Sequence, residues 1–323
     1  MRKKETLEQL VDCKWIICSV VAFFLLVQNG NAQYDPSFAH YWMLKPQFNP
    51  ATAGHQPVLN ITAAYSAQLS GFENAPQTMY AGVDLPMFFI NAKHGMGVQF
   101  LNDEIGLFSH KRFSLQYAYH FRLWGGTMSL GLQGDMLSET FDGSKLDVED
   151  SNDPAFSSSS VSGSKIDAAF GLYYARPSWY AGLSAQHLTA PTILLGETNQ
   201  LKIDPTFYFT AGYNIKLRST FLTIHPSVLA KYDGAVYRVD VTGRLQYEHE
   251  NQMLYGGASY SPTTSVTLFV GGKFQGVNLS YSYEAYTSAL GIKSGNHELT
   301  VMYQVDLNIN KKGRNKHKSV RLL

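Results

Sequence analysis

Three short stretches of the chain carry side chains of the types that hydrolytic enzymes use. His297-Glu298 starts like a zinc-protease motif, but no second histidine follows at the spacing that H-E-x-x-H requires. Ser184 and His187 pair a nucleophile with a base, yet a separation of three on a strand predicts opposite faces. Glu248-His249-Glu250 is typical of a solvated turn. The nucleophile-elbow, phosphate-loop and dinucleotide-binding motifs are also missing, so we expect no catalysis, no cofactor and no bound metal.

Composition narrows the classes of protein to which this chain can belong. Bases and acids are balanced, 26 against 25, so no net field favours a nucleic-acid partner. Charged residues make up 16% of the chain, below the ~25% that is typical of soluble domains. Only residues 15–27 approach the length of a membrane-spanning helix, which excludes a polytopic helical membrane protein. With 20 Tyr, 19 Phe and 27 Gly, the composition indicates an all-β protein.

The elements that must position these side chains are predicted by an alternation of apolar and polar residues. It runs through 58–69, 113–122, 207–217 and 236–248, and is typical of strands whose two faces meet different environments. The last of these segments is the clearest. One of its faces carries Tyr237, Val239, Val241, Gly243, Leu245 and Tyr247, and the other carries Arg238, Asp240, Thr242, Arg244, Gln246 and Glu248.

Two architectures can produce such strands, a soluble β-sandwich and a transmembrane β-barrel. The predicted strands are about ten residues long, as a tilted membrane strand requires, whereas soluble strands average about five or six. Aromatic residues at strand ends match the girdles of a barrel. We therefore favour an all-β, transmembrane antiparallel barrel of the outer membrane, with the sandwich as the alternative. Its lumen would be salt-bridged and partly filled, with charges at Arg238, Asp240, Arg244 and Glu248.

About fourteen strands are predicted, an even number that suits a bacterial barrel with both termini in the periplasm. Even-numbered connections should then be short and odd-numbered ones longer, although the long even connection 86–93 and the short odd connections 232–235 and 261–263 break this rule. The strands are predicted at 57–70, 76–85, 94–102, 110–122, 126–138, 164–176, 178–188, 205–217, 220–232, 235–248, 252–261, 264–274, 276–286 and 297–309.

Two long connections have compositions that permit binding. Segment 139–163 carries six carboxylates, which are suitable ligands for calcium, but it lacks the EF-hand spacing. A solvated extracellular loop is the favoured interpretation. Segment 189–204 is apolar at Ile193, Leu194 and Leu195, which would fold into the lumen, contact a partner or pack against the barrel mouth.

The ends of the chain lie outside the predicted barrel, which covers 57–309. Residues 1–32 are predicted to be a signal peptide cleaved before Gln33, with an uncleaved anchor as the alternative. Export would place the protein in the outer membrane of a Gram-negative bacterium. Residues 33–56 are predicted to form a periplasmic N-terminal segment, and 310–323 a basic C-terminal tail.

Motifs near both ends of the predicted mature chain resemble those of the PorP/SprF family of type IX secretion outer-membrane proteins. The opening motifs are Gln33-Tyr34-Asp35-Pro36-Ser37-Phe38 and Asn49-Pro50-Ala51-Thr52-Ala53-Gly54. The closing motifs are Tyr281-Ser282-Tyr283-Glu284 and Gly295-Asn296-His297-Glu298. Glu284 stands where the family pattern has aspartate.

The resemblance implies a non-enzymatic barrel that helps to secrete or anchor surface adhesins with a type B C-terminal domain. It also implies periplasmic partners in the secretion or gliding-motility machinery. It marks as possible interaction residues Asn49, Pro50, Ala51, Gly54, Tyr281, Tyr283, Glu284, Gly295, His297 and Glu298. The residues alone permit a plainer interpretation: Asn49-Pro50 as a turn and His297-Glu298 as a hydrogen-bonded pair at the barrel mouth. A porin or hydrophobic-solute channel is the alternative function, and its lumen should be open.

Overall fold

The computed structural model describes 34–70, 72, 74–143, 160–196, 199–217, 221–250, 252–262, 264–287 and 295–307. The predicted signal peptide, the basic tail and most of the acidic loop therefore lie outside the described residues. No helix among the described residues is long and apolar enough to cross a membrane.

Fourteen of the described strands pair antiparallel with their neighbours along the chain, and the first also pairs with the last. This closure confirms the predicted barrel and excludes a two-sheet sandwich. The barrel strands are β1 (Val58–Ala67), β2 (Gln77–Phe89), β3 (Ala92–Ile105), β4 (Phe108–Leu123), β5 (Gly126–Asp142), β6 (Ser160–Ala175), β7 (Trp179–Gln186), β10 (Thr206–Tyr213), β12 (Leu222–Tyr232), β13 (Tyr237–His249), β14 (Gln252–Ser261), β15 (Ser265–Phe274), β16 (Val277–Tyr286) and β17 (Asn296–Asp306). Three shorter strands are β8 (Thr192–Leu195), β9 (Asn199–Lys202) and β11 (Ile215–Lys216).

The connection between β2 and β3 is shorter than predicted, because both strands extend beyond the residues predicted for them. Strands β2 and β3 are joined by Ile90 and Asn91 alone, which have φ of 49° and 58°. Two consecutive residues with positive φ match the twist of a tight hairpin. The predicted connection 86–93 is therefore a two-residue turn. This even-numbered connection is short, as the rule for a barrel with periplasmic termini requires. We call this end of the barrel the short-turn end and the opposite end the long-loop end.

The two faces of the sheet differ as the alternation predicts. On β13, Val241 is 52% exposed on the outer surface, whereas its neighbour Thr242 is 1% exposed and points into the lumen. The same alternation of buried and exposed residues runs along β1, β3, β4 and β5. The outer face therefore carries the apolar residues that a membrane barrel presents to lipid.

Residues 34–56 lie inside the barrel, and we call them the plug. They contain a short helix, α1 (Lys45–Phe48), and a 3-10 turn at Pro50–Thr52. The plug begins near the long-loop end, where the Tyr34 hydroxyl bonds to Glu139, and it reaches the short-turn end near Gly54. The prediction of a periplasmic segment at 33–56 is thus corrected for the residues from 34 onwards.

Apolar side chains of the plug account for its position. Phe38, Tyr41, Leu44 and Phe48 are almost completely buried, and they pack against lumenal side chains of five different strands. Burying such side chains stabilises the plug in the lumen by about 1.5–3 kcal/mol for each large one. The strand partners are Ala64, Tyr80, Leu101, Tyr208 and Leu229.

The hairpin formed by β8 and β9 packs inside the long-loop end. Ile193 and Leu195 are buried against Leu137 of β5, and the ring of Tyr34 packs on the same cluster. Leu194 remains exposed. Of the interpretations offered for 189–204, the structure supports packing within the barrel mouth.

Candidate functional site: the filled lumen

Asn49 of the N-P-A-T-A-G motif fixes the plug to two strands. Its Nδ2 donates to the backbone oxygens of Leu172 (2.9 Å) and Leu183 (3.2 Å), and its Oδ1 accepts from the Ala51 N–H. The side chain thus caps the 3-10 turn, as predicted for a turn residue, and also contacts β6 and β7. An aspartate here would lose both donations to the wall, so the amide is required.

Glycines on the lumenal faces of the strands make room for the motif. A Cβ on Gly171 would lie 2.1 Å from the Asn49 Oδ1, and one on Gly131 would lie 2.1 Å from the Ala51 nitrogen. On β3, a Cβ on Gly95 would meet the Ala53 carbonyl oxygen at 1.8 Å. The plug therefore touches the wall directly at these three positions, through its backbone at Gly95 and Gly131 and through the Asn49 side chain at Gly171.

Gly54 ends the motif in a backbone conformation that favours glycine. Its φ is +60°, and a Cβ there would lie 2.5 Å from the Leu85 carbonyl oxygen. Its N–H donates to Asp84 Oδ2 at 2.9 Å. Gly54 thus turns the plug into strand β1 at the short-turn end.

Asp35 holds the start of the plug in a buried network of charges. Its carboxylate lies 3.1 Å from Arg112 Nη1 and 3.3 Å from His187 Nε2, and it accepts from the Tyr208 hydroxyl at 2.9 Å. The Lys231 ammonium donates to the Asp35 backbone oxygen. Burial alone would raise the pKa of Asp35, but the charges of His187 and Arg112 hold it well below its usual value.

Glu298 of the closing motif receives the next part of the plug. Its carboxylate accepts from the backbone N–H groups of Ala39 (2.6 Å) and His40 (3.0 Å), and contacts His40 Nδ1 at 2.6 Å. His40 Nε2 lies 2.5 Å from the hydroxyl of Ser280. A residue of the closing motif and the plug segment between the two opening motifs, more than 200 residues apart in the sequence, therefore meet in one buried site.

His297 points the opposite way from Glu298, so the predicted His297-Glu298 pair does not form. Its Nδ1 lies 2.6 Å from the Tyr281 hydroxyl on the exposed face, and its ring packs near Tyr283. Adjacent strand residues face opposite sides, and this rule separates the two. Tyr281, Tyr283 and His297 thus form an aromatic patch on the outside of the barrel.

Two of the four predicted lumenal charges pair with each other. Arg238 Nη2 lies 3.0 Å from Asp240 Oδ1 and 2.8 Å from Glu284 Oε1. Asn296 also donates to Glu284 at 2.8 Å. Gly295 allows the start of β17 to approach, since a Cβ there would lie 2.5 Å from the Glu284 backbone oxygen. The closing motif therefore also organises this ion cluster.

The other two predicted charges do not complete the row. Arg244 has no carboxylate partner among the described residues, and its guanidinium lies over the rings of Trp42 (5.2 Å) and Tyr255 (5.5 Å). Glu248 is exposed at the short-turn end, where its contact is with Gln246. Arg238, Asp240 and Arg244 thus lie in the lumen, but among these four residues salt bridges are formed only by Arg238 and Asp240, and Glu248 is exposed.

Ser184 and His187 both face the lumen, which corrects the prediction of opposite faces. Strand β7 ends at Gln186, and His187 has a φ of 55° that turns its side chain inwards. Ser184 donates to the Phe48 carbonyl oxygen, while His187 Nδ1 contacts Asp167 at 2.7 Å. The two side chains therefore bind different partners and form no dyad. Among the described residues, no group of three or more His, Asp and Glu side chains could hold a metal ion.

The role of the lumenal glycines was not predicted from the sequence, although the sequence contains a pattern that indicates it. Gly95, Gly131, Gly171 and Gly182 all lie on polar faces of predicted strands. Glycine weakens a strand interior, so its repeated use there indicates close approach of another backbone. The sequence alone does not indicate which segment approaches.

The match to known sequences covers most of this barrel. The family model of the type IX secretion system membrane protein PorP/SprF matches residues 30–303. The chain belongs to this family. No curated protein sequence matches the PorP/SprF chain described here.

Several solved structures are similar in fold. The CymD monoaromatic hydrocarbon channel is 12% identical, with 84% of this chain and 93% of that chain covered and a TM-score of 0.48. The Pseudomonas putida toluene transporter TodX is 8% identical, with 84% and 95% covered and a TM-score of 0.48. The KdgM porin is 9% identical, with 76% and 98% covered and a TM-score of 0.35.

Proposed function

We propose that this PorP/SprF protein is a non-enzymatic component of type IX secretion in the outer membrane. It helps to secrete or anchor surface adhesins that carry a type B C-terminal domain, and it connects them to periplasmic secretion or gliding machinery. In this proposal the short-turn end faces the periplasm, because short turns lie on that side of outer-membrane barrels.

The observation that best supports this proposal is that the plug fills the lumen. The family to which the chain belongs is the second support. The plug makes direct contacts with strands on all sides of the barrel, from Glu298 through Asp84 to Leu172. A barrel filled by its own chain offers its rims and outer surface for binding rather than a wide path for solutes. This counts against the porin or hydrophobic-solute channel, for which an open lumen was expected.

Deletion of the gene tests the proposal. We expect the cognate adhesin to appear in the medium instead of on the cell surface, while cargo that does not use this barrel is still secreted. Surface labelling and immunoblots of the medium measure both effects. An adhesin that stays on the surface, together with lost uptake of a small solute, would overturn the proposal in favour of the channel.

A further inference from the structure

A pocket of about 310 Å³ lies between the plug and the barrel wall at the short-turn end. This volume is at the lower end of the ~300–1,000 Å³ range of small-molecule sites. Its walls combine cationic and aromatic side chains. They include Trp42, Lys45 and His55 of the plug and Tyr180, His225 and Arg244 of the strands.

Two cations of this pocket lack a carboxylate partner among the described residues. The Lys45 ammonium lies 4.6 Å from the centre of the Tyr180 ring, and the Arg244 guanidinium lies over Trp42 and Tyr255. Burial, together with the charge of Arg244, lowers the pKa of Lys45 to about 8. Aromatic faces compensate a buried cation only in part, so both groups remain available to an anion.

Several polar atoms of the pocket are also buried without a hydrogen-bond partner in the described structure. Trp42 Nε1 and Arg244 Nε are N–H groups, which can only donate, and neither has an acceptor. Asp84 is the one carboxyl among the lining residues, and it already accepts from Gly54 and Asn60. Buried donors are normally satisfied. Arg112 Nη2, elsewhere in the lumen, is also without a partner, but Arg112 is neutralised by Asp35, whereas the two donors here lie beside cations that lack a carboxylate. The pocket is therefore suited to a negatively charged acceptor.

Other lumenal cations of the described structure have partners, which makes this pocket different. Arg112 pairs with Asp35, and Arg238 pairs with Asp240 and Glu284. The lumen therefore supplies carboxylates wherever an arginine serves only to hold the barrel together. Arg244 has no such carboxylate, and it lies between two aromatic rings and the pocket.

We propose that the pocket binds an organic carboxylate. Lys45, Arg244 and the indole N–H of Trp42 hold the carboxylate, and the rings of Trp42 and Tyr180 cover its carbon body. A guanidinium with free N–H groups suits a carboxylate because it can donate two parallel hydrogen bonds. Such a carboxylate belongs either to a free small acid or to the end of a peptide that enters from the short-turn end. This site does not depend on the proposed anchoring of cargo.

Calorimetric titration of the full protein in neutral detergent at low salt tests this proposal. The probes are benzoate for a free acid and N-acetylphenylalanine for a peptide end, with benzyl alcohol and N-acetylphenylalanine amide as neutral counterparts. We expect each acid to bind at least about tenfold more tightly than its neutral counterpart, since charge-assisted hydrogen bonds are worth ~1.5–3 kcal/mol. The tighter of the two acids identifies the source. Equal binding of acids and neutral counterparts, or tighter binding of inorganic phosphate than of either acid, would overturn the proposal.

Variants of pocket residues test whether the acid binds in this pocket. Arg244→Gln should weaken benzoate binding about tenfold or more, whereas Arg122→Gln, an exposed arginine at the same end but outside the pocket, should leave it unchanged. Trp42→Phe keeps an aromatic ring at this position but removes the N–H, so it should weaken binding in a protein that still folds. Heat-modifiable gel mobility verifies folding of each variant. Unchanged affinity in a folded Trp42→Phe and a folded Arg244→Gln would refute the site.

Discussion

At the scale of single residues, Asp35 is the strongest candidate for holding the plug in place. Its carboxylate neutralises Arg112 and His187 in a site that water does not reach. Removing one partner of a buried ion pair leaves the other charge uncompensated, which typically costs about 3–5 kcal/mol. We therefore predict that Asp35→Ala lowers the free energy of unfolding by about this amount, measured by urea denaturation in detergent or bilayers.

Asp204→Ala provides the matched control for this variant. Asp204 pairs with Lys202 at 2.7 Å, but both side chains are largely exposed, so the pair contributes little. Similar losses of stability in the two variants would contradict a structural role for the Asp35 network.

His187 gives the plug a dependence on pH. Burial alone would lower its pKa, but the carboxylates of Asp35 and Asp167 outweigh this effect and raise it to about 9 from the usual 6.5. A raised pKa means that the contribution of His187 to stability is complete below about pH 6.5 and is lost as the pH rises through 9. We predict that the stability advantage of the wild type over His187→Gln shrinks between pH 6.5 and 10 in thermal unfolding. A constant difference would exclude a charged His187.

At the scale of elements, the contact between the plug and the wall depends on the absence of side chains. Gly131 and Gly134 lie on the same strand, but Gly131 faces the plug and Gly134 has open space around its Cβ position. We predict that Gly131→Ala destabilises the barrel by about 1–3 kcal/mol, as is typical of an overpacked contact. Gly134→Ala should be neutral or slightly stabilising in the same urea denaturation. Equal effects would show that the plug does not lie against β5.

Substitutions on the outer face of β13 test which part of the barrel contacts the lipid. Val241 lies near the middle of the strand and Tyr247 near its short-turn end, both on the exposed face. Arginine costs about 2–4 kcal/mol at the bilayer midplane and about 0–1 kcal/mol near the interface. We predict that Val241→Arg impairs folding into bilayers far more than Tyr247→Arg. Equal penalties would contradict this orientation in the membrane.

The strands were predictable from the sequence, and the plug was not. Alternation along 236–248 is a local property, because each residue reports the side of the sheet on which it lies. The position of 34–56 depends instead on contacts across the chain, such as those of Ala39 and His40 with Glu298. The closing motif marked Glu298, but Ala39 and His40 lie between the two opening motifs, and only the folded barrel brings these residues together. Arg244 was expected in a salt-bridged row and lies instead over Trp42 and Tyr255, which the sequence could not predict because Trp42 belongs to the plug.

At the scale of the whole molecule, the barrel and the plug form one unit in which the chain fills its own lumen. The long-loop end is covered by the hairpin of β8 and β9, and the short-turn end contains the cationic pocket. The two ends therefore differ in chemistry.

The filled lumen is tested most directly by the electrical conductance of the purified protein in planar lipid bilayers. We expect no steady open-pore conductance from the wild type, because the plug contacts the wall from Asp35 near the long-loop end to Gly54 near the short-turn end. A stable, ohmic conductance of porin size in the wild-type protein would contradict the filled lumen, and the channel would then become the better explanation of this barrel.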